Sequence, residues 1–270
     1  MAARPITFLS DYGYDDEFAG VCRAVIARIT PETPVIDLTH GISRHAVAEG
    51  AAVLEAALAY TPPGVHLAVV DPGVGSPRKA VALAVAEDDR ILVGPDNGLL
   101  WPAAERLGGV RTAVDVSLSQ FRLEPISATF HGRDVFAPVA AHLAAGATLA
   151  QAGEAIEPDS LVRPDQVKPQ ISPGRVAAHV QYVDRFGNLA LDVPAESLAD
   201  TGLRLGRRLW VEASGVTLDA SYVLTFADVG AGELILYQDS YGRIALAVNR
   251  ASAAERLAAN PGDQVILRPA

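Results

Sequence analysis

Three short glycine-bearing turns hold the residues best suited to chemistry: Val70 to Arg78 (VDPGVGSPR), Thr129 to Asp134 (TFHGRD) and Asp184 to Asn188 (DRFGN), each flanked by strongly apolar runs. Loops held on a rigid scaffold are where binding and catalytic groups concentrate. A carboxylate (Asp71), a guanidinium (Arg78) and an imidazole (His131) that converge at the carboxyl edge of a parallel sheet could polarise a water molecule. Each has an ordinary reading too. An Asp and an Arg bracketing a tight turn often form only an ion pair, and a His at a helix start is often structural. It is their company that points to chemistry. A fourth stretch, Ser10 to Glu17 (SDYGYDDE), runs from a strand end into a helix. Asp11 sits where open α/β sheets bind ligands and a carboxylate can accept both hydroxyls of a ribose, whereas Asp15 and Glu17 read as acids that complement the helix dipole.

Several familiar chemistries are disfavoured. The Gly73-Val74-Gly75 turn lacks both the Gly-Lys-Ser/Thr ending of a P-loop and the third glycine of a dinucleotide fingerprint. No Gly-x-Ser-x-Gly elbow occurs. Asp37 with His40, and His131 with Asp134, are chemically suited to a divalent cation but match no metal-site spacing, so no metal is expected. Cys22, the only cysteine, excludes an intramolecular disulfide and reads as a core residue within Phe18-Ala19-Gly20-Val21-Cys22. Asp134 reads as an N-cap for the helix that follows it.

The elements that must position these groups follow from hydrophobic period. Strands are expected at 5–10, 34–38, 65–70, 80–86, 90–94 and 111–116, and helices at 16–29, 46–60, 97–107 and 134–145. In the second helix Val47, Ala51, Val53, Leu54, Ala57 and Leu58 form a buried stripe, with Glu49 and Glu55 outward. This alternation predicts an α/β domain over 1–151, its mostly parallel sheet flanked by helices. Residues 152–174, with Pro158, Pro164, Pro169 and Pro173, read as a linker. From 175 to 270 the runs at 175–182, 189–193, 208–212, 221–226, 233–237, 243–248 and 264–267 are short and turn-separated, predicting a smaller all-β domain.

Of the 270 residues half are hydrophobic and the formal net charge is −10. That charge disfavours nucleic acid and anionic membrane as partners. The apolar runs fall short of the roughly 18 to 20 residues of a membrane span, and the start of the chain lacks a signal-peptide pattern, so a cytoplasmic location is expected.

Taken together, Ser10-Asp11-Tyr12-Gly13 with Asp16, Asp37-Leu38-Thr39-His40, Val70 to Arg78, Gly94-Pro95-Asp96-Asn97-Gly98, Thr129 to Pro138 and Asp184 to Asn188 give a sequence that closely resembles the S-adenosyl-L-methionine hydroxide adenosyltransferases. These are relatives of the fluorinase and chlorinase. The resemblance implies hydrolysis of S-adenosyl-L-methionine to adenosine and methionine by water attacking C5′ of the ribose, with no cofactor. It also implies a homotrimer with active sites between subunits. By the same resemblance Asp71, Arg78 and His131 position the water and Asp11 binds the ribose. Asp16, Asp184 and Ser240 hold the methionine end, while Phe186, Asn188, Phe226 and the Asn249-Arg250-Ala251 turn form an adenine pocket given by the neighbouring subunit. Gly132 stands where the halogenases carry a serine, and their long loop between the second and third strands is absent, which favours water over halide. Whether Asp71 or His131 accepts the proton stays open. The competing readings are a slow or non-catalytic S-adenosylmethionine or adenosine binder and, further off, a metal-dependent phosphoesterase.

Overall fold

The computed structural model describes residues 4–165 and 167–270. The chain divides into two compact units, one ending at Pro164 and the other beginning at Asp165.

The first unit runs β1 (Ile6–Ser10), α1 (Phe18–Ile29), β2 (Val35–Thr39), α2 (Val47–Leu58), β3 (Val65–Val69), β4 (Ala80–Val85), β5 (Ile91–Pro95), α3 (Trp101–Arg106), β6 (Val110–Asp115), α4 (Ala137–Ala144), α5 (Leu149–Ala152) and β7 (Glu154–Ile156). Its seven strands lie in the order β2-β1-β3-β5-β4-β6-β7. The β2-β1-β3-β5 half is parallel. The β5-β4-β6-β7 half is antiparallel, so the sheet is mixed. Strands β1, β3, β4 and β5 are buried along their whole length, which explains why they read as continuous apolar runs rather than alternating ones. One face packs on α1 and α4, with Phe8, Cys22, Ile26, Phe136 and Val139 in its core. The other packs on α2 and α3 around Leu54, Leu58, Leu83 and Leu100.

Some local expectations are corrected. Glu49 does not face outward: it is buried and its Oε2 accepts from the Ser43 N–H at 3.3 Å. Helix α1 begins only at Phe18, with no acid in its first turn and no side-chain cap from Glu17, so Asp15 and Glu17 lie before the helix, exposed. The stretch 152–174 contains β7, which extends the sheet beside β6, and the short strand β8 (Gln170–Ser172).

The second unit is all-β. After β8 come β9 (Arg175–Val183), β10 (Leu189–Pro194), β11 (Arg208–Ala213), β12 (Val216–Tyr222), β13 (Leu234–Gln238), β14 (Arg243–Val248), the short helix α6 (Ala253–Leu257) and β15 (Gln264–Pro269). The order β10-β14-β13-β12-β11-β15-β9 closes through the β9–β10 pairing into a seven-strand barrel, with β8 paired outside it on β9. Closure removes the unpaired edges of an open sheet. The strand expected at 221–226 is β12, which starts earlier, at Val216. Beyond Tyr222 the chain leaves the sheet because the Asp228 carboxylate takes the N–H groups of Leu224 and Thr225, at 3.2 and 3.0 Å, and turns the chain. Among the described residues no helix is long and apolar enough to cross a membrane.

Candidate functional site

The parallel half of the first sheet places Asp11 just after β1, His40 just after β2 and Asp71 just after β3. Since β2 and β3 lie on opposite sides of β1, their crossovers leave in opposite directions, and the strand ends at β1 and β3 bound the crevice where open sheets take ligands. A cleft of about 280 Å³ opens there, lined by Asp11, Tyr12, Asp16, Arg44, His45, Asp71, His131 and Gly132 among others.

Asp71 and His131 line it, and Arg78 bonds to both. Arg78 donates from Nε to Asp71 Oδ1 at 2.8 Å and from Nη2 to Oδ2, a two-pronged pair that is nearly buried. A planar guanidinium fork fits a carboxylate in this way, and lysine could not. The same Nη2 lies 3.1 Å from His131 Nδ1. A guanidinium can only donate, so Nδ1 must accept, and a neutral His131 carries its proton on Nε2. Burial first, and then the Arg78 charge, hold the His131 pKa below the ordinary imidazole range, which keeps the ring neutral. Arg78 is further held with its guanidinium carbon 5.2 Å from the centre of the Phe136 ring.

His131 owes its place to an irregular helix start. Residues Gly132–Phe136 form a π-helical turn before α4, a widening that is common at functional sites. Asp134 lies inside this turn and is no N-cap. Its buried carboxylate accepts from the Ser127 N–H at 2.8 Å and from the Arg133 guanidinium at 2.6 and 2.9 Å, fixing the loop that leads to His131. Asn97 ties the β3 end in the same manner, donating to Val70 O at 2.9 Å.

On the other wall, Asp11 Oδ2 accepts from the His45 N–H at 2.9 Å, and His45 adopts a left-handed φ of 66°. A non-glycine residue in that region stores strain that the fold must hold. Arg44 and His45 line the cleft but were missed in the sequence because they sit in a polar loop without motif, brought in only by the crossover after β2. Behind Asp11, buried His40 makes a 2.8 Å hydrogen bond through Nδ1 to Ser10 Oγ, which also accepts from the Tyr12 N–H at 3.2 Å. His40 Nε2 faces Asp37 Oδ1 at 3.4 Å, and Asp37 Oδ2 accepts from Arg23 at 2.8 Å. Asp37 and His40 thus brace the Asp11 turn. Among the described residues no group of three or more His, Cys, Asp or Glu is placed to hold a metal ion. The Cys22 thiol is buried and pushed up to about 12, far from reactive.

In the barrel, Asp184 closes its own turn: Oδ1 accepts from the Phe186 and Asn188 N–H groups at 2.8 and 3.0 Å, and Oδ2 from Asn188 Nδ2 at 2.8 Å. Gly187 has φ +79°, and a Cβ there would lie 2.2 Å from Ser252 Oγ, so only glycine lets this turn pack on the segment after β14. Arg250 and Ala251 belong to that segment, at the same end of the barrel as Asn188. Phe186, on the same turn as Asn188, stands 70 % exposed. Phe226 packs on Tyr237, ring centres 5.2 Å apart. Ser240 lies on the β13–β14 turn; burial raises the pKa of the Tyr182 and Tyr237 hydroxyls, and its neighbour Asp239, together with Asp184, raises it further.

The amino-terminal residues 6–153 match the model of the SAM hydroxide adenosyltransferase N-terminal domain, and residues 178–266 match that of its C-terminal domain. The chain is 49% identical over 266 residues, 98% of each protein, to a protein of Salinispora tropica named (R)-S-adenosyl-L-methionine hydrolase. It is 38% identical, over 98% of its own length and 99% of the other's, to one of the same name from Thermus thermophilus. A fluorinase of an Actinoplanes species is 30% identical, with 91% of each chain covered. A crystal structure of an uncharacterized conserved protein from Thermotoga maritima superposes with a TM-score of 0.91 at 35% identity, covering 97% of this chain and 99% of that one.

Proposed function

The chain belongs to the SAM hydroxide adenosyltransferase family, and from that premise we propose how its cleft performs the reaction. It hydrolyses S-adenosyl-L-methionine to adenosine and L-methionine. The substrate's sulfonium sets the demands. As water oxygen bonds to C5′, the C5′–S pair returns to sulfur, and methionine departs as a neutral thioether that needs no acid. What the protein must supply is a water aligned opposite the C–S bond and a place for one proton.

The observation that supports these roles best is the Arg78 fork, whose Nη2 also reaches His131 Nδ1 at 3.1 Å. With Nδ1 accepting, His131 presents Nε2–H to the nucleophile and acts as donor, not as base. Both Asp71 oxygens hold Arg78, yet each keeps a further lone pair able to accept a water O–H. Once the C–O bond forms the oxygen is a strongly acidic oxonium, so Asp71 need only take its proton late. Asp11 accepts the ribose hydroxyls. Fixed donors and acceptors of this kind lower a barrier by alignment and by fields that are already in place. Asp16, Asp184 and Ser240 act on the methionine end, and Phe186, Asn188, Phe226, Arg250 and Ala251 on adenine. The barrel acts on the cleft of a neighbouring subunit in a cytoplasmic homotrimer. Phe186 supports this, being a large apolar ring that stays mostly exposed in the single chain.

Purified protein with S-adenosyl-L-methionine and a chelator is expected to release adenosine and methionine in equal amounts. Calorimetric binding without product would overturn the reading. Light scattering is expected to give three times the 28.3 kDa chain mass.

A further inference from the structure

Gly132, next to His131, has a backbone open to any residue, yet it meets a wall. A Cβ built on it would lie 2.0 Å from Tyr12 Oη and 2.9 Å from Tyr12 Cζ, so the phenol hydroxyl rests against the glycine. Tyr12 and Gly132 line the cleft with Asp71 and His131. Tyr12 Oη makes no hydrogen bond to any described residue, although burial pushes its pKa well up and keeps it an O–H. Tyr12 is half-buried and lines the open cleft, so its hydroxyl is free to take a hydrogen bond from a water or ligand there.

Its position is built, not incidental. The Tyr12 ring packs edge-on against Phe8 and Phe130, at 6.4 and 5.8 Å, and tilted against Phe18 at 6.0 Å. Its backbone N–H is held by Ser10 Oγ, which His40 braces in turn. An attacking water has four valences. One lone pair goes to C5′, His131 Nε2–H takes the other, and Asp71 accepts one O–H. The second O–H needs an acceptor.

We infer that Tyr12 Oη is a further nucleophile-positioning group, hydrogen-bonded to the attacking water beside His131, and that residue 132 is glycine because only a hydrogen leaves room for it. This rests on the hydrolase reading above. No proton or electron is transferred to Tyr12. It accepts one water O–H and fixes the orientation of the lone pair that faces C5′.

The test is Tyr12→Phe, which keeps the ring and its packing and removes only the hydroxyl. Adenosine formation is expected to lose about 10- to 100-fold in kcat with KM within about threefold, the pattern of a group felt mainly in the transition state. Gly132→Ala, which pushes the ring aside, is expected to lose kcat similarly in the parent but to add little in the Tyr12→Phe background. Full additivity of the two, a loss confined to KM, or an unaltered kcat in Tyr12→Phe overturns the inference. So does an equal or larger kcat loss in Thr129→Val, which removes the neighbouring hydroxyl of the cleft wall. A parent protein that forms no adenosine refutes the hydrolase reading and the inference with it, whereas an active parent with an indifferent Tyr12→Phe refutes the inference alone.

Discussion

Asp71 and Asp184 both stand just beyond a strand, and both have their oxygens occupied, but by different kinds of partner. Asp184 is satisfied from within: its three donors are Phe186 and Asn188, two and four residues on. Asp71 is satisfied by a side chain seven residues on, which then reaches His131, a further 53 residues away. The barrel turn is therefore a self-contained shape, a surface made rigid for contact. The strand-end cluster couples two distant segments around a cleft and leaves Nε2–H and a carboxylate lone pair unused. The first arrangement suits recognition and the second suits a reaction.

Removing the link between segments should have the largest effect. Arg78→Met deletes the fork and frees both Asp71 and His131, and kcat for adenosine formation is expected to fall roughly 100- to 1,000-fold, the scale of losing a placed charge-assisted donor. KM should move far less. A matching rise in KM would make the cluster a binding device and erase the contrast with the barrel.

Disturbing the self-contained turn should act on affinity instead. Asp184→Ala removes three hydrogen bonds that shape the Asp184–Asn188 turn, each worth about 0.5–1.5 kcal/mol. KM is expected to rise about tenfold or more with kcat within about threefold, measured by steady-state adenosine release. A kcat loss like that of Arg78→Met would show that the turn takes part in the chemical step.

The same contrast explains what could be read in the sequence. The strands of the parallel half were legible because burial on both faces makes Ile6–Ser10, Val65–Val69 and Ile91–Pro95 mostly apolar runs, interrupted only by Thr7, Ser10 and His66. Asp71, Arg78 and His131 were legible as a set because polar residues on glycine turns stand out against such runs. What stayed hidden depends on pairings across distance. The Ser10–His40 brace joins residues 30 apart and the Tyr12–Gly132 contact joins 120 residues. Asp134 looked like a cap because a π-turn and an α-turn share the same local residues, and only the Ser127 N–H decides what its carboxylate holds. Glu49 looked solvated because its partner, the Ser43 backbone, lies outside the helical period used to place it.

A smaller effect separates the two regions by pH. His131 must stay neutral to accept from Arg78, and burial and Arg78 hold its pKa below the ordinary range. Activity is therefore expected to be flat through neutral pH and to fall on acidification only below the usual imidazole titration, about tenfold per pH unit once the ring is mostly protonated. His131→Gln, whose amide can still accept from Arg78 and donate to water, should be slower but lose this acid limb. An unchanged limb would assign the titration to another group, and one shared by substrate affinity would bring it back to the recognition side.

The least effect on catalysis and the clearest on stability is expected at the far edge of the same sheet. His66 near the start of β3 is fully buried, its Nε2 3.3 Å from Arg90 Nη1 and its Nδ1 2.9 Å from Thr7 Oγ1. Arg90 can only donate, so Nε2 accepts and Nδ1–H donates to Thr7, which fixes the neutral ring. Burial, reinforced by Arg90, pushes the His66 pKa down to about 3. The folded state then refuses a proton that the unfolded chain accepts near pH 6.5. Stability from this group is complete above that value and is lost as pH falls toward 3, with a slope of about 1.4 kcal/mol per pH unit for one proton. Urea unfolding of the parent and of His66→Gln at pH 7, 6, 5 and 4 reads the difference, and parallel pH slopes in the two proteins would remove His66 as its source. Because no side chain of this network lines the cleft, kcat at neutral pH measures whether the two edges of the sheet are coupled. A His66→Gln protein that is folded yet slow would mean that the strand ends carrying Asp11 and Asp71 depend on polar contacts at the opposite ends of β1 and β3.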